Sequence, residues 1–213
     1  MATPNVTVIP SKACLNLFTK IRDRTLPPAA FEHHANRLMT ILAEETIAEL
    51  AITPVTVHTP VAAFDGVTVD IDELCAVSII RAGDSLLECV RKVLPGISTG
   101  KILIQRDEET ALPKMYYSKL PPKVATKKII LCDPMLATGG SAIMAIESLV
   151  SFGVDPSNII FSNVVCCPEG LKAMYERYPM VRVVTACIDE GLTEQKFITP
   201  GLGDYGDRYF NTV

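Results

Sequence analysis

Five continuous apolar runs of strand length constrain the fold of this chain more than any other feature. They lie at residues 76–80, 101–105, 128–132, 158–167 and 181–188, and stretches with helical character stand at 85–94, 141–153 and 168–178. Strands that are apolar along their whole length are typical of parallel sheets, because helices cover both faces of such sheets. The alternation therefore predicts an α/β fold with a doubly wound parallel sheet. In such folds ligands bind at the carboxyl ends of the strands.

Length and composition predict one cytoplasmic domain. The 213 residues contain no repeat or linker, so we expect a single domain over residues 1–213. The formal net charge of -4 argues against a nucleic-acid partner. No apolar run approaches the roughly 18 residues of a membrane span, and the first residues lack the build of a signal peptide. The seven cysteines form no CxxC pair and most stand in apolar runs, which indicates buried, reduced thiols.

Three further segments carry local signals. Residues 28–50 have helical periodicity, with apolar residues recurring at intervals of three to five. Residues 55–69 alternate in polarity around Asp65-Gly66, which predicts a β-hairpin with its turn at that dipeptide. Residues 106–123 are too long for a simple loop and alternate at KMYYSKL, so we predict a second hairpin there. We expect this hairpin to protrude over the ligand site or at a subunit contact, or else to be an ordinary surface hairpin.

The strongest chemical signal is the segment KKIILCDPMLATGGSAIMAIESL. An apolar strand runs into Asp133, and Thr138-Gly139-Gly140-Ser141 then open a helix. Adjacent glycines let the backbone approach a phosphate closely, and the helix N-terminus adds partial positive charge. Asp133 can accept hydrogen bonds from sugar hydroxyls beside that phosphate. The lysine of a Walker-type loop is missing from the pattern, which disfavours nucleoside triphosphate chemistry.

A second glycine-rich segment, ITPGLGDYGDRYF, spans residues 198–210. It satisfies GxGxxG, but too few residues follow for the long helix of a dinucleotide fold. We interpret it instead as a tight loop whose backbone groups read the edge of a planar base. Asp204, Asp207 and Arg208 add charge for a metal-linked polyphosphate. Two arginines, Arg81 and Arg106, directly follow consecutive apolar runs, where forked guanidinium donors can grip paired phosphate oxygens.

Taken together, these motifs resemble those of a known family. CDPMLATGGS, PGLGDYGDRYF, RAG upstream and QRDEET between them are similar to the uracil phosphoribosyltransferases among the type I phosphoribosyltransferases. The resemblance extends over nearly the whole chain from about Pro28. It implies an α/β core over about residues 70–190, a hood from the N-terminal helices and the C-terminal loop 191–213, and a protruding β-hairpin arm. It also implies a homodimer or homotetramer.

The resemblance implies a role for each matching residue, in the synthesis of UMP from uracil and phosphoribosyl pyrophosphate (PRPP). Arg106 and Asp204 would be the catalytic residues, and Arg81 would face the pyrophosphate with them. Uracil would be bound by Ile198, Gly203, Asp204 and Tyr205, mainly through backbone groups. Mg²⁺ would be held chiefly by PRPP and water rather than by a protein metal site, and GTP is a candidate effector. PRPP would also contact the full loop after the third apolar run: Asp133, Pro134, Met135, Leu136, Ala137, Thr138, Gly139, Gly140 and Ser141.

Three other functions stay open at this point. One is a phosphoribosyltransferase for another base, such as hypoxanthine or orotate, against which the GLGDYGDR loop argues. Another is a regulatory protein that senses UMP or PRPP while binding RNA, although the sequence offers no basic patch with interleaved aromatic residues. The last is an inactive paralogue that serves as a scaffold, although each expected site residue is present.

Overall fold

A mixed β-sheet forms the centre of the fold. The computed structural model describes residues 5–106 and 113–212, and it describes only the backbone of Arg106 and Pro113. The strands of the described residues are β1 (Val6–Val8), β2 (Thr53–His58), β3 (Ala63–Thr68), β4 (Leu74–Ile80), β5 (Ser98–Arg106), β6 (Pro113–Lys119), β7 (Lys128–Cys132), β8 (Met135–Leu136), β9 (Ile159–Cys166), β10 (Arg182–Ile188), β11 (Gly191–Leu192) and β12 (Ile198–Thr199). The α-helices are α1 (Lys12–Arg22), α2 (Pro28–Ala48), α3 (Gly83–Val93), α4 (Gly140–Ser151), α5 (Pro168–Arg177) and α6 (Tyr205–Phe210). No described helix is long and apolar enough to cross a membrane.

The central sheet has the order β1-β10-β9-β7-β4-β5-β6, and the short strand β8 pairs with β9. All its pairings are parallel except that of β5 with β6. The five apolar runs correspond to β4, β5, β7, β9 and β10, and the predicted helices correspond to α3, α4 and α5. The predicted doubly wound α/β fold is thereby confirmed.

Apolar side chains fill both faces of the sheet, because successive residues of a strand point to opposite sides. In β7, Ile130 and Cys132 belong to one buried cluster, and Ile129 and Leu131 belong to the other. The first cluster includes the buried faces of α1, α2 and α3, and the second includes those of α4 and α5. Burying each large apolar side chain stabilises the fold by about 1.5–3 kcal/mol. These two layers hold the carboxyl ends of the strands in fixed positions.

The hairpin expected at 55–69 forms, but its turn lies elsewhere. β2 and β3 pair with each other in register from Thr53 opposite Thr68 to His58 opposite Ala63. Asp65 and Gly66 therefore stand inside β3, and the turn falls at residues 59–62, where the Thr59 hydroxyl accepts hydrogen bonds from two backbone N–H groups. The predicted turn at Asp65-Gly66 was wrong. The turn is stabilised by the Thr59 side chain, whereas the prediction relied on the backbone freedom of the glycine.

Of the hairpin predicted within residues 106–123, the described residues contain one full strand, β6. It pairs antiparallel with β5, which is itself the second apolar run, at one edge of the central sheet. Its register shifts between Leu103 and Ile104, as in a β-bulge. The residues that join the two strands lie outside the described part of the chain, so DEET of the QRDEET motif cannot be placed. β5 nevertheless delivers Gln105 and the backbone of Arg106 to the carboxyl edge of the sheet.

Candidate functional site

Three adjoining cavities open at the carboxyl ends of β4, β5 and β7. Their volumes are about 690, 380 and 80 Å³. Asp133 and Ser141 line all three, so the cavities meet at these two residues. Asp133 directly follows β7, and Ser141 stands in the first turn of α4. The cavities therefore lie at the edge of the sheet where the sequence predicts a ligand site.

The smallest cavity is formed by the phosphate loop, which we define as residues 133–141. Gly139 has a φ of +84°, a left-handed conformation that glycine adopts without strain, and the twelve-residue helix α4 begins at the next residue. A Cβ atom at Gly139 would lie 3.2 Å from the carbonyl oxygen of Gly170, so a side chain there would be crowded as well as strained. Free N–H groups at a helix N-terminus attract anions. The geometry suits a compact tetrahedral anion.

Asp133 is a half-buried carboxyl group at the junction of the cavities. Burial raises its pKa to about 7, a hydrogen bond from the Met135 backbone acts in the opposite direction, and the charge of Asp204 raises it further. Two carboxylates in one polar cleft are favourable only when cations or hydrogen-bond donors join them. A ligand that brings a cation or hydrogen-bond donors would therefore be favoured beside these two carboxylates.

The largest cavity contains Arg81, whose peptide bond with Ile80 is cis. The Arg81 Nη2 donates a hydrogen bond to Asp207 Oδ1 at 2.6 Å, and its Nη1 donates to Thr212 Oγ1 at 2.8 Å. Hydrogen bonds from Thr212 and Arg81 lower the pKa of Asp207. The guanidinium is half-exposed at the cavity wall and is oriented by α6 and the residues after it. The side chain of Arg106, the other predicted arginine, lies outside the described part of the structure.

The third cavity, of about 380 Å³, is bounded by the base loop, which we define as residues 198–205. The predicted residues Ile198, Gly203, Asp204 and Tyr205 all line it. The Tyr205 ring points away into the core, where it stacks with Tyr209 at a centroid distance of 5.7 Å. Its backbone is thus the part that faces the cavity, as the sequence analysis expected. The Asp204 carboxylate caps α6 by accepting the Asp207 N–H at 2.9 Å.

Several residues around the base loop carried no sequence signal. Gln195, Lys196 and Phe197 line the same cavity, since β11 and β12 pair as a short hairpin that brings them beside Ile198. Arg208, interpreted from sequence as a polyphosphate ligand, instead donates hydrogen bonds to the backbone carbonyls of Ile21, Leu202 and Asp23. It therefore supports the loop from outside the cavity.

The carboxylates that line the cavities fit part of the coordination shell of a magnesium ion. Within the described residues, no group of three His, Cys, Asp or Glu side chains is arranged to hold a metal. Asp133 and Asp204 both line the two larger cavities and offer carboxylate oxygens, the ligands that Mg²⁺ prefers. Two carboxylates alone leave most of an octahedral shell to water and to substrate oxygens.

Comparison with known proteins identifies the family. The family model described as uracil phosphoribosyltransferase matches residues 8–212. The chain is 45% identical to the uracil phosphoribosyltransferase of Lachancea kluyveri, over 97% of this chain and 96% of that one. It is 47% identical to the enzyme of Dictyostelium discoideum, over 98% and 97% of the two chains. Among solved structures, the AQ2163 protein of Aquifex aeolicus superposes with a TM-score of 0.87 at 28% identity, over 97% of this chain and 98% of that one. The match of motifs, fold and sequence over almost the full length shows that this chain belongs to the uracil phosphoribosyltransferase family of pentosyltransferase enzymes.

Proposed function

We propose that this protein joins uracil to PRPP and releases UMP and pyrophosphate. The observation that carries the proposal is the meeting of a phosphate loop, a base loop and an arginine-lined cavity at one carboxylate, Asp133. PRPP has a 5′-phosphate, a ribose and a pyrophosphate in that order along one molecule. The three cavities offer a place to each part, with the base beside the ribose.

The phosphate loop would bind the 5′-phosphate of PRPP. Its backbone N–H groups and the start of α4 supply donors without requiring a lysine. The ionised carboxylate of Asp133, the first residue of the loop, would accept hydrogen bonds from the ribose hydroxyls. Thr138 and Ser141 add hydroxyl groups beside the phosphate. Binding in this order would place C1 of the ribose at the junction of the cavities.

The base loop would select uracil through backbone hydrogen bonds. A loop N–H that donates to O4 and a loop C=O that accepts from N3–H match uracil. Cytosine has an amino donor in place of O4 and an acceptor at N3, so both hydrogen bonds would be lost. Mismatches of this kind in a water-poor pocket reject a substrate strongly, by up to about 10⁴-fold. Asp204 stands at the mouth of the same cavity, where it could take the N1 proton through water. We propose Ile198, Gly203 and Tyr205 as the main backbone contacts.

The pyrophosphate would occupy the largest cavity, opposite the base. Arg81 lines this cavity, and Arg106 follows from the end of β5 at the same edge. When bound, Mg²⁺ would supply positive charge that neutralises the leaving pyrophosphate, and Asp133 and Asp204 are the carboxylates that would help to hold it. Arg81 already shares its donors with Asp207 and Thr212, so its position is set before the ligand arrives.

The chemistry then needs orientation rather than a nucleophilic side chain. Displacement at C1 passes through a transition state with oxocarbenium character, by analogy with glycoside cleavage. Holding the base and the ribose in line lowers the barrier, and arginine donors stabilise the charge that develops on the pyrophosphate. N1 of uracil forms the new bond to C1 as the C1–O bond to pyrophosphate breaks, and the N1 proton leaves to solvent or to Asp204.

Assembly, location and regulation complete the proposal. We propose a homodimer or homotetramer, supported by the apolar side chains that the β2–β3 hairpin leaves exposed, such as Phe64 and Val67. We propose a cytoplasmic location, supported by seven cysteines without a disulfide among the described residues. GTP is proposed as an effector because some members of the family respond to it.

The test is UMP formation from labelled uracil, PRPP and Mg²⁺, beside parallel reactions with cytosine, hypoxanthine and orotate. We expect UMP from uracil alone. Equal turnover of cytosine would refute the proposed reading of the base loop. If no base reacts while UMP or PRPP still binds in a titration, the sensor or inactive-paralogue function replaces the enzyme. Repeating the uracil reaction with GTP, and measuring mass by light scattering, tests the effector and the assembly.

A further inference from the structure

We propose that Arg22, which lies outside the cavities, is a positioning residue that fixes the base loop in its uracil-binding shape. The inference rests on the proposed function and adds to it a residue that sets base affinity without touching the base. Arg22 ends α1, more than 170 residues before the loop in sequence. Its role follows from four hydrogen bonds, two that join Arg22 to Asp189 and two that join this pair to Gly201.

Arg22 and Asp189 together bind both polar groups of one glycine. Arg22 Nη1 donates to Asp189 Oδ2 at 2.8 Å, and Arg22 Nη2 donates to Asp189 Oδ1 at 2.6 Å. Arg22 Nη1 also donates to the carbonyl oxygen of Gly201 at 2.7 Å, while Asp189 Oδ2 accepts the Gly201 N–H at 2.9 Å. We call this arrangement the Arg22–Asp189 clamp. It fixes the backbone on both sides of Gly201.

Gly201 is the residue at which the loop turns. Its φ of +57° is left-handed, and a Cβ atom there would overlap the carbonyl oxygen of Ile198. The following residues, Gly203 and Asp204, are exposed at the cavity, whereas Gly201 and Leu202 are buried. The clamp therefore holds the buried edge of the loop, and its exposed edge faces the ligand.

The clamp is a strong one because it is shielded from water. The Asp189 side chain is 3% exposed and that of Arg22 is 22% exposed. Although burial acts to raise the pKa of Asp189, the hydrogen bonds from Arg22 and Gly201 lower it overall, so the carboxylate stays charged. Bidentate pairs fix geometry as well as charge, and a lysine cannot reproduce that geometry.

A second arginine fixes the next residue of the loop. Arg208 Nη1 donates to the carbonyl oxygens of Leu202 at 2.7 Å and Ile21 at 2.6 Å. The end of α1 is thus tied to residues 201 and 202 of the loop by two separate guanidinium groups. The phosphate loop, residues 133–141, takes no part in these hydrogen bonds. A change in the clamp should therefore affect base binding more than PRPP binding.

The experiment compares Arg22→Gln with Arg91→Gln, whose arginine forms an exposed pair with Glu88. We expect Arg22→Gln to raise KM for uracil by at least about tenfold, since small displacements of binding groups have large effects. KM for PRPP should rise clearly less, because Asp204 is the one base-loop residue that is also proposed to face the pyrophosphate. Arg22→Lys keeps the charge with fewer aligned donors and should give an intermediate KM for uracil. Arg91→Gln should match the parent protein. Unchanged uracil kinetics in Arg22→Gln, or equal rises in both KM values, would overturn the inference.

Amide hydrogen exchange separates this inference from the proposed function. We expect peptides covering residues 198–205 to exchange faster in Arg22→Gln, with those covering the phosphate loop unchanged. If the parent protein makes no UMP, the proposed function fails, but the exchange comparison still decides whether Arg22 fixes the loop. Equal exchange of the loop in both proteins would refute the positioning role. Should Arg22→Gln fail to fold, Arg22→Lys takes its place in both measurements, and unaltered loop exchange and uracil KM in that variant would count against the clamp.

Discussion

Replacing Asp133 by asparagine should make the protein more stable while it removes the proposed ribose contact. The folded protein raises the pKa of Asp133 from its ordinary value of 3.8 to about 7, chiefly through burial. A charged carboxylate is therefore held at neutral pH in surroundings that favour the neutral form. Asparagine has the same shape, still accepts the hydrogen bond from the Met135 backbone, and carries no charge.

The magnitude follows from the difference between the two pKa values. A difference of about 3 corresponds to about 4 kcal/mol of lost stability above pH 7, at 1.36 kcal/mol for each unit. Water in the cavity reaches the carboxylate, so we expect about half of this, about 2 kcal/mol, and a Tm about 4–8 °C higher for Asp133→Asn at pH 8. The folded state holds the proton more tightly than the unfolded state, so the cost grows as pH rises from 3.8 to 7. The gain in Tm should therefore fall to less than about half at pH 5.

Thermal unfolding at pH 5 and pH 8 tests this reasoning, with Asp72→Asn, a change at an exposed aspartate, as the control. Adding PRPP and Mg²⁺ should raise the Tm of the parent protein more than that of Asp133→Asn. If Asp133→Asn is no more stable than the parent protein at pH 8, burial is not what raises the pKa of this group. A gain of the same size at both pH values would refute the linkage between charge and stability.

Three other changes have defined outcomes. Because ribose hydroxyls donate to the ionised form of Asp133, KM for PRPP should fall about tenfold between pH 6 and pH 8, measured by initial rates; a flat profile would contradict this role. Gly201→Ala forces a side chain into a left-handed backbone beside Ile198, so urea unfolding should report a loss of about 1–3 kcal/mol, and an unchanged midpoint would contradict the strain. Arg106→Ala should lower turnover with PRPP at least about tenfold, or about 1.4 kcal/mol, and unaltered kinetics would remove Arg106 from the site.

Local patterns in the sequence predicted most of the fold. The apolar run 128–132 coincides with β7, and the helix expected at 28–50 is α2, which ends at Ala48. These elements were predictable from local patterns. A strand buried on both faces is a continuous apolar run, and a helix buried on one face has apolar residues every three or four positions. No local pattern indicates the order of the strands in the sheet. For example, β1 pairs with β10, from the opposite end of the chain.

The candidate site likewise has parts that the sequence predicted and parts that it did not. The phosphate loop was predictable because a strand, an acid, two glycines and a helix follow each other directly in sequence. The Arg22–Asp189 clamp was not, since its two side chains are 167 positions apart and each stands in an unremarkable local context. Arg208 was misinterpreted for a related reason. A charged residue beside Asp204 suggests a ligand contact, and only the fold reveals three backbone carbonyls around its guanidinium.

The sharing of Asp133 and Ser141 by all three cavities has a thermodynamic consequence. Occupants that touch the same carboxylate and hydroxyl cannot bind independently, because each changes the charge and hydrogen bonding that the next one meets. Binding free energies are reciprocal, so the factor by which pyrophosphate alters the affinity for UMP equals the factor by which UMP alters the affinity for pyrophosphate. The two products therefore strengthen or weaken each other's binding by one shared factor, which is set at the end of β7.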